Sequence, residues 1–354
     1  MKNIYILFIS LIALTGCSSA DNAITPTSSL YFPPIGSDVW ATKSLLELGW
    51  NENQVQPLLD YLELKNTKSF IILVDGKIVM ENYFNGHTAA ANWYWASAGK
   101  TLSATMVGIA AQEGFLDLNA KASTYLGTAW TSMPLEKENL ITGKHLLTMT
   151  SGIEDIENGD CVTADCLTYT ADAGTRWAYH NVFVKLQDIV ESATGQNYFD
   201  YFDTKLKDKI GMNGLWFTSE SNIVYASNAR SMARFGLLML GKGKWDNEVI
   251  LNQNYFMAAT QTSQNINQAY GYLWWLNGKP TYHLPQSQFE FTGNLISSGP
   301  SDMFMALGKN DQKIYVVPSK NMVVIRMGDA ADGSNFALSE FDNVLWQKIN
   351  ALYE

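Results

Sequence analysis

Ser97-Ala98-Gly99-Lys100 leads straight into a helical pattern that runs to about Glu113, and it is the only Ser-x-x-Lys in the chain. Three residues apart on a helix, the hydroxyl and the amine share one face. A serine hydroxyl is a poor nucleophile until a neighbouring base takes its proton, and the lysine amine is in place to do so. The helix N-terminus adds unpaired N–H groups and partial positive charge, which favour a developing anion. Leu102, Met106, Ile109 and Ala110 form the expected apolar side of this helix, and Gly114 its C-terminal cap. The same letters contain Gly99-Lys100-Thr101, the tail of a phosphate-binding loop. That motif needs a glycine at position 94, where Tyr94 stands, and a buried strand before it, which Ala91 to Trp95 does not supply.

The 354 residues suffice for one large or two ordinary domains. A hydrophobic content of 47% with 16% charged residues is ordinary for a folded chain. The net charge of −10 argues against a nucleic-acid partner, which calls for clustered Lys and Arg. Most of the eleven Trp and seventeen Tyr belong in the core, and a few are available to line a pocket.

Residues 1–16 read as a signal peptide: Lys2 opens it, and Ile4 to Leu14 is mostly apolar but too short for a stable span. Leu14-Thr15-Gly16-Cys17 resembles the lipobox of bacterial lipoproteins. The resemblance implies a diacylglycerol on Cys17, a membrane attachment through that lipid, and an outer-membrane protein facing the periplasm. Cys161 and Cys166 are then candidates for a short-loop disulfide in an exported chain. Neither a second Cys pair nor a paired-His motif is present, so no metal site is expected.

Residues 17–45, rich in Ser, Thr, Pro and Gly, read as a tether. Val55, Leu58, Leu59 and Leu62 have helical spacing. Ser69 to Val74 and Lys77 to Phe84 flank Asp75-Gly76, a strong hairpin signal. Strand character returns in Met303–Leu307, Lys313–Val317 and Asn321–Arg326, before a last helix from Asn335 to Leu352. The predicted fold is therefore α/β of the α+β kind. Residues 46–95 and 290–354 give one antiparallel sheet flanked by helices, and 96–289 form a mainly helical insertion carrying Ser97 and Tyr179.

A Ser–Lys pair commonly recruits a third polar group, and Tyr179-His180-Asn181 is the candidate. A phenol beside an ammonium has its anion favoured, so Tyr179 could shuttle a proton to the leaving group. Asn181 could orient Lys100 and the substrate amide. Tyr83-Phe84-Asn85 has the same spacing but closes the hairpin, and it takes a structural role. Ser-x-x-Lys followed by Tyr-x-Asn resembles the penicillin-recognising serine hydrolases. The branch is that of class C β-lactamases, D-alanyl-D-alanine peptidases, carboxylesterases and 6-aminohexanoate-dimer hydrolase. Gln112 to Leu118, His145 to Gly152 and Met232 to Gly236 agree with that family, and the likeness spans about residues 50–350.

In this family a third motif, Lys-Thr-Gly or His-x-Gly, ends a strand beside the nucleophile. The match is Ala306-Leu307-Gly308, followed by Lys309. By the resemblance, Gly308 admits substrate to the strand edge, and the Lys309 N–H joins that of Ser97 as an oxyanion hole. Ala306 stands where relatives carry a cation for a substrate carboxylate, a charge-assisted hydrogen bond of about 1.5–3 kcal/mol. Alternation turns the Lys309 side chain away from that face, towards solvent. Asp311 stands where the 6-aminohexanoate-dimer hydrolase branch tends to have glycine. His180 takes a structural or rim role, Trp93 and Trp95 could wall the pocket, and the Cys161–Cys166 loop could shape its mouth. The expectation is a cofactor-free hydrolase of a small ester or amide, acting through an acyl-enzyme on Ser97. The alternatives are a D-alanyl-D-alanine carboxypeptidase or β-lactamase, and a catalytically idle relative that binds cell-wall peptide.

Overall fold

The computed structural model describes residues 30–157, 160–219, 222–332 and 340–354. The stretch read as a signal peptide, and Cys17, lie outside the described residues. Helix α1 (Val55–Leu64) buries Leu58 and Leu62. It leads to the hairpin β1 (Thr67–Val74) and β2 (Lys77–Tyr83). Asp75 and Gly76 both have positive φ, 52° and 80°, as a tight two-residue turn requires. The short strand β3 (Trp93–Tyr94) precedes the Ser97 turn and helix α2 (Lys100–Gln112). Helix α3 (Lys185–Thr194) follows, then the hairpin β4 (Leu215–Ser219) and β5 (Asn222–Ser227), then helix α4 (Ala229–Leu240). The chain closes with β6 (Trp275–Leu276), β7 (Phe304–Gly308), β8 (Gln312–Val317), β9 (Met322–Gly328) and helix α5 (Glu340–Asn350).

Six strands form one antiparallel sheet in the order β2-β1-β9-β8-β7-β6. The expected sheet from both chain ends is thus present, with β1 and β9 central and buried throughout Phe70–Val74 and Met322–Gly328. Central strands lose water on both faces, and this explains the continuous apolar run in β1. Helix α4 lies directly on the sheet: a Cβ on Gly236 would sit 2.5 Å from Val323 Cγ1.

Three expectations need correction. The span 96–289 is not all helical insertion: α4 packs on β9, β8 and β1, β6 joins the main sheet, and β3-β5-β4 form a second, three-stranded sheet. Two-residue strands such as β3 and β6 have no readable period. Secondly, residues 30–43 are not tether. The Tyr31 N–H donates to Asp75 O at 2.9 Å, Trp40 is buried, and Arg234 donates to the Pro34 carbonyl at 2.9 Å. Tyr31, Phe32 and Trp40 give this stretch apolar surface to bury, which Ser, Thr and Pro alone would not. Thirdly, α2 is buried all round from Lys100 to Ala110, with no polar face. Its hydroxyls are satisfied internally: Thr101 Oγ1 donates to Ala98 O, and Ser103 Oγ accepts from Gln187 Nε2. The last helix is described from Glu340; residues 335–339 lie outside the described residues.

Candidate active site

Ser97 sits in a 3-10 turn, Ala96–Gly99, that runs into α2. Ala96 holds φ at +47°, a left-handed conformation rare for residues with a Cβ. The turn is held from the second sheet: the Trp95 N–H donates to Tyr225 O at 2.8 Å, and its indole Nε1 donates to Ser227 Oγ at 2.9 Å. Trp95 is therefore core and walls nothing; Tyr94, beside it, borders the cleft. Trp93 is tied by its indole Nε1 to Gly328 O.

Lys100 Nζ and Ser97 Oγ are hydrogen-bonded at 2.7 Å. Lys100 is 3% exposed, and its ammonium position lies over the rings of Phe183 and Tyr179, 4.3 and 5.0 Å from the centroids. Burial brings its pKa down to about 7, against a smaller upward pull from Asp160. The amine is thus substantially neutral near physiological pH and able to accept the Ser97 proton. Burial pushes the Tyr179 phenol up to about 12, against a smaller lowering by Ser97, so the phenolate expected from the sequence is not favoured. The Tyr179 phenol, which borders the cleft with Ser97, is therefore neutral and chemically able to give up a proton.

Asn181 also departs from expectation. Its Nδ2 donates to Asp160 Oδ1 at 2.9 Å, not to Lys100. No sequence signal marked Asp160, which borders the cleft on both sides of Ser97. Cys161, next to it, is disulfide-bonded to Cys166 and lines the cleft mouth. His180 is buried; burial, then Arg176 and Lys100, lower its pKa to about 3, and its Nδ1 accepts from the Val182 N–H. Tyr83 lies apart, its hydroxyl donating to Glu81 at 2.6 Å, and Glu81 is clamped by Arg230.

The end of β7 lies against the nucleophile turn. A Cβ on Gly308 would fall 2.4 Å from Trp95 O and 3.0 Å from Ala98 N. Glycine is required here to let the strand meet the Ser97 turn, rather than to admit substrate. Gly308→Ala is expected to push strand and turn apart and to lower ester kcat/KM about tenfold or more, since misplacement of the order of 1 Å can cost 10²-fold. Wild-type kinetics in the purified variant would refute that fit. Lys309 is exposed, and it lines the cleft with Asn310. Asn310 and Asp311 both hold φ near 60°. That loop is fixed by Arg326, which donates to both their carbonyls at 2.9 and 3.1 Å, and by Asp311 Oδ2, which accepts from the Ala331 N–H at 3.0 Å. Asp311 thus reaches the left-handed region without being glycine, because its side chain and carbonyl are both anchored.

The cleft has two arms meeting at Ser97. One, about 480 Å³, includes Tyr179, His180, Asp155 and Glu157; the other, about 400 Å³, includes Lys100, Phe217, Val224 and Lys309. A further cavity of about 150 Å³ near Trp40 shares no residue with either. The sequence reading missed the β4–β5 hairpin as a wall of the site.

The model of the family described as Beta-lactamase matches residues 67–333. No curated protein matches the chain significantly. Among solved structures, a Bacillus anthracis protein bearing the name 6-aminohexanoate-dimer hydrolase is 20% identical, with TM-score 0.69, covering 88% of this chain and 87% of its own. A penicillin-binding protein homologue from Caulobacter crescentus is 10% identical, with TM-score 0.65, covering 84% and 97%. EstCE1, described as a hydrolase with promiscuous acyltransferase activity, is 12% identical, with TM-score 0.62, covering 88% and 99%. The expected fold is the observed one, and this chain belongs to the beta-lactamase family as a serine hydrolase of the penicillin-recognising kind.

Proposed function

We propose that the protein hydrolyses a small ester or amide through an acyl-enzyme on Ser97. The observation that carries this reading is the 2.7 Å contact between Ser97 Oγ and a Lys100 amine whose pKa is about 7. Lys100 takes the Ser97 proton as Oγ bonds to the carbonyl carbon. The backbone N–H groups of Ser97 and Lys309 receive the oxyanion. When the tetrahedral intermediate collapses, Tyr179 donates its proton to the leaving atom and is reprotonated from Lys100. Water then attacks the acyl-enzyme by the reverse proton path, releasing acid and free serine. Asn181, held by Asp160, contacts substrate at the junction of the arms. No cofactor enters the scheme.

Esters and simple amides suit the cleft better than penicillins or D-alanyl peptides. Ala306 supplies no cation for a carboxylate, and Glu157 and Asp160 give the Tyr179 arm negative charge, Lys309 being confined to the other arm. We propose further that the protein acts as an outer-membrane lipoprotein anchored at Cys17, a reading that rests on the lipobox-like Leu14-Thr15-Gly16-Cys17. The test of the enzymatic reading is a fluorophosphonate probe, with mass spectrometry of the peptide containing Ser97. The expected result is one stoichiometric adduct on Ser97, absent in Ser97→Ala. Wild-type protein that takes up neither this probe nor a penicillin would be the idle, ligand-binding relative instead.

A further inference from the structure

The two arms differ in chemistry, and the proton donor belongs to only one of them. Tyr179 borders the arm that holds Asp155 and Glu157, and it does not border the other. A leaving atom must reach the group that protonates it, so the leaving half of the substrate enters the Tyr179 arm. The acyl half then lies in the arm bordered by Lys100 and Lys309, where the proposed oxyanion hole opens.

That acyl arm has an apolar wall built by the β4–β5 hairpin. Phe217 pairs directly across from Val224, and Trp216 across from Tyr225. Alternation sends the two pairs to opposite faces. Trp216 and Tyr225 go inward, their rings 5.0 Å apart and packed on Phe202. Phe217 and Val224 face the cleft, and Phe217 keeps 37% exposure beside the nucleophile. Phe183 lines the same arm from under the Lys100 amine. A large apolar side chain left wet on a cleft wall is where an apolar ligand gains most from burial.

We propose that the acyl group this enzyme transfers is an apolar chain or ring of several carbons, seated against Phe217, Val224 and Phe183. This rests on the acyl-enzyme reading and names its substrate class. The test uses p-nitrophenyl acetate, butyrate, hexanoate and octanoate, so that the leaving group stays constant while the acyl arm is probed. In the wild type, kcat/KM is expected to climb about tenfold or more from acetyl to hexanoyl. Phe217→Asn should shrink that ratio about threefold or more, and Phe217→Leu should keep it. Val224→Ser, on the facing strand, should act in the same direction and serves if the Phe217 variants fail to fold. A wild-type profile that is flat or falling with chain length overturns the assignment, as does a ratio untouched by Phe217→Asn and Val224→Ser. Enzyme labelled on Ser97 that shows no chain-length dependence sinks this assignment alone. Protein that no acylating probe labels sinks the hydrolase reading with it.

Discussion

Lys100→Met should reduce kcat for a p-nitrophenyl ester by about 10³-fold, within the range removed with a general base, and should at the same time make the protein more stable at neutral pH. The two effects share a cause. Burial lowers the Lys100 pKa from its ordinary 10.5 to about 7. Above about pH 7 the folded enzyme holds the neutral amine that Ser97 needs. Wild-type kcat/KM should therefore rise with pH to a plateau, with a midpoint near 7. Between that pH and 10.5 the unfolded chain binds a proton that the folded chain does not. Stability consequently falls as pH drops through this window and levels off below it. Methionine removes this penalty, so the variant should gain roughly 2–4 kcal/mol near pH 7, shrinking towards zero as pH approaches the unfolded lysine value. Denaturant melts of both proteins near pH 7 and pH 10, beside the kinetics, check the pair. A variant that keeps roughly a tenth of wild-type turnover, or a wild-type rate flat from about pH 5 to 9, would remove Lys100 as the base. Reduced activity with no change in relative stability would leave the base role but refute the buried, deprotonated state.

How far these features could be read from sequence depends on which physics decides each. The Ser97–Lys100 spacing is local, because a helical turn alone brings the two side chains together. The Asp75-Gly76 hairpin and the buried run of β1 are local for the same reason: turn geometry and two-sided burial leave a mark within ten residues. The state of Tyr179 is not local. Its phenol is governed by the surroundings that desolvate it, and burial outweighs what the sequence neighbourhood of a lysine suggests. The β4–β5 hairpin was hidden by its own composition. Trp216 and Tyr225 face the core while Phe217 and Val224 face the cleft, so apolar residues occupy both sides and no alternation shows. Thr101, Ser103 and Thr105 lie inside a buried helix, where their hydroxyls bond to neighbouring groups, so their polarity does not mark a solvated face.

Lys313→Met is the substitution expected to cost most stability. The Lys313 side chain is fully buried, 3.1 Å from Asp311 Oδ1 and 2.9 Å from Asp342 Oδ2. Asp342 Oδ1 also accepts from the Tyr315 hydroxyl at 2.6 Å, so the cluster joins β8 to helix α5. Arg326, likewise buried, feels both carboxylates. Removing one cation leaves two buried carboxylates facing each other with their shared partner gone. The expected loss is about 3–5 kcal/mol, the range seen when one member of a buried ion pair is deleted. In a domain of this size that lowers Tm by about 4–7 °C, which calorimetry resolves readily. Asp311 belongs to the loop that carries Lys309, so the fall in stability should come with a fall in kcat larger than any change in KM, as the proposed oxyanion donor shifts. Adding Asp311→Asn and Asp342→Asn to Lys313→Met should recover part of the lost stability, because the carboxylates that lost their partner are then uncharged. Asn also tolerates the left-handed backbone at position 311. A Tm within about 2 °C of wild type for the single variant would mean that the cluster is not desolvated as the structure has it. Unchanged kcat in a destabilised variant would separate the cluster from the loop it is argued to hold.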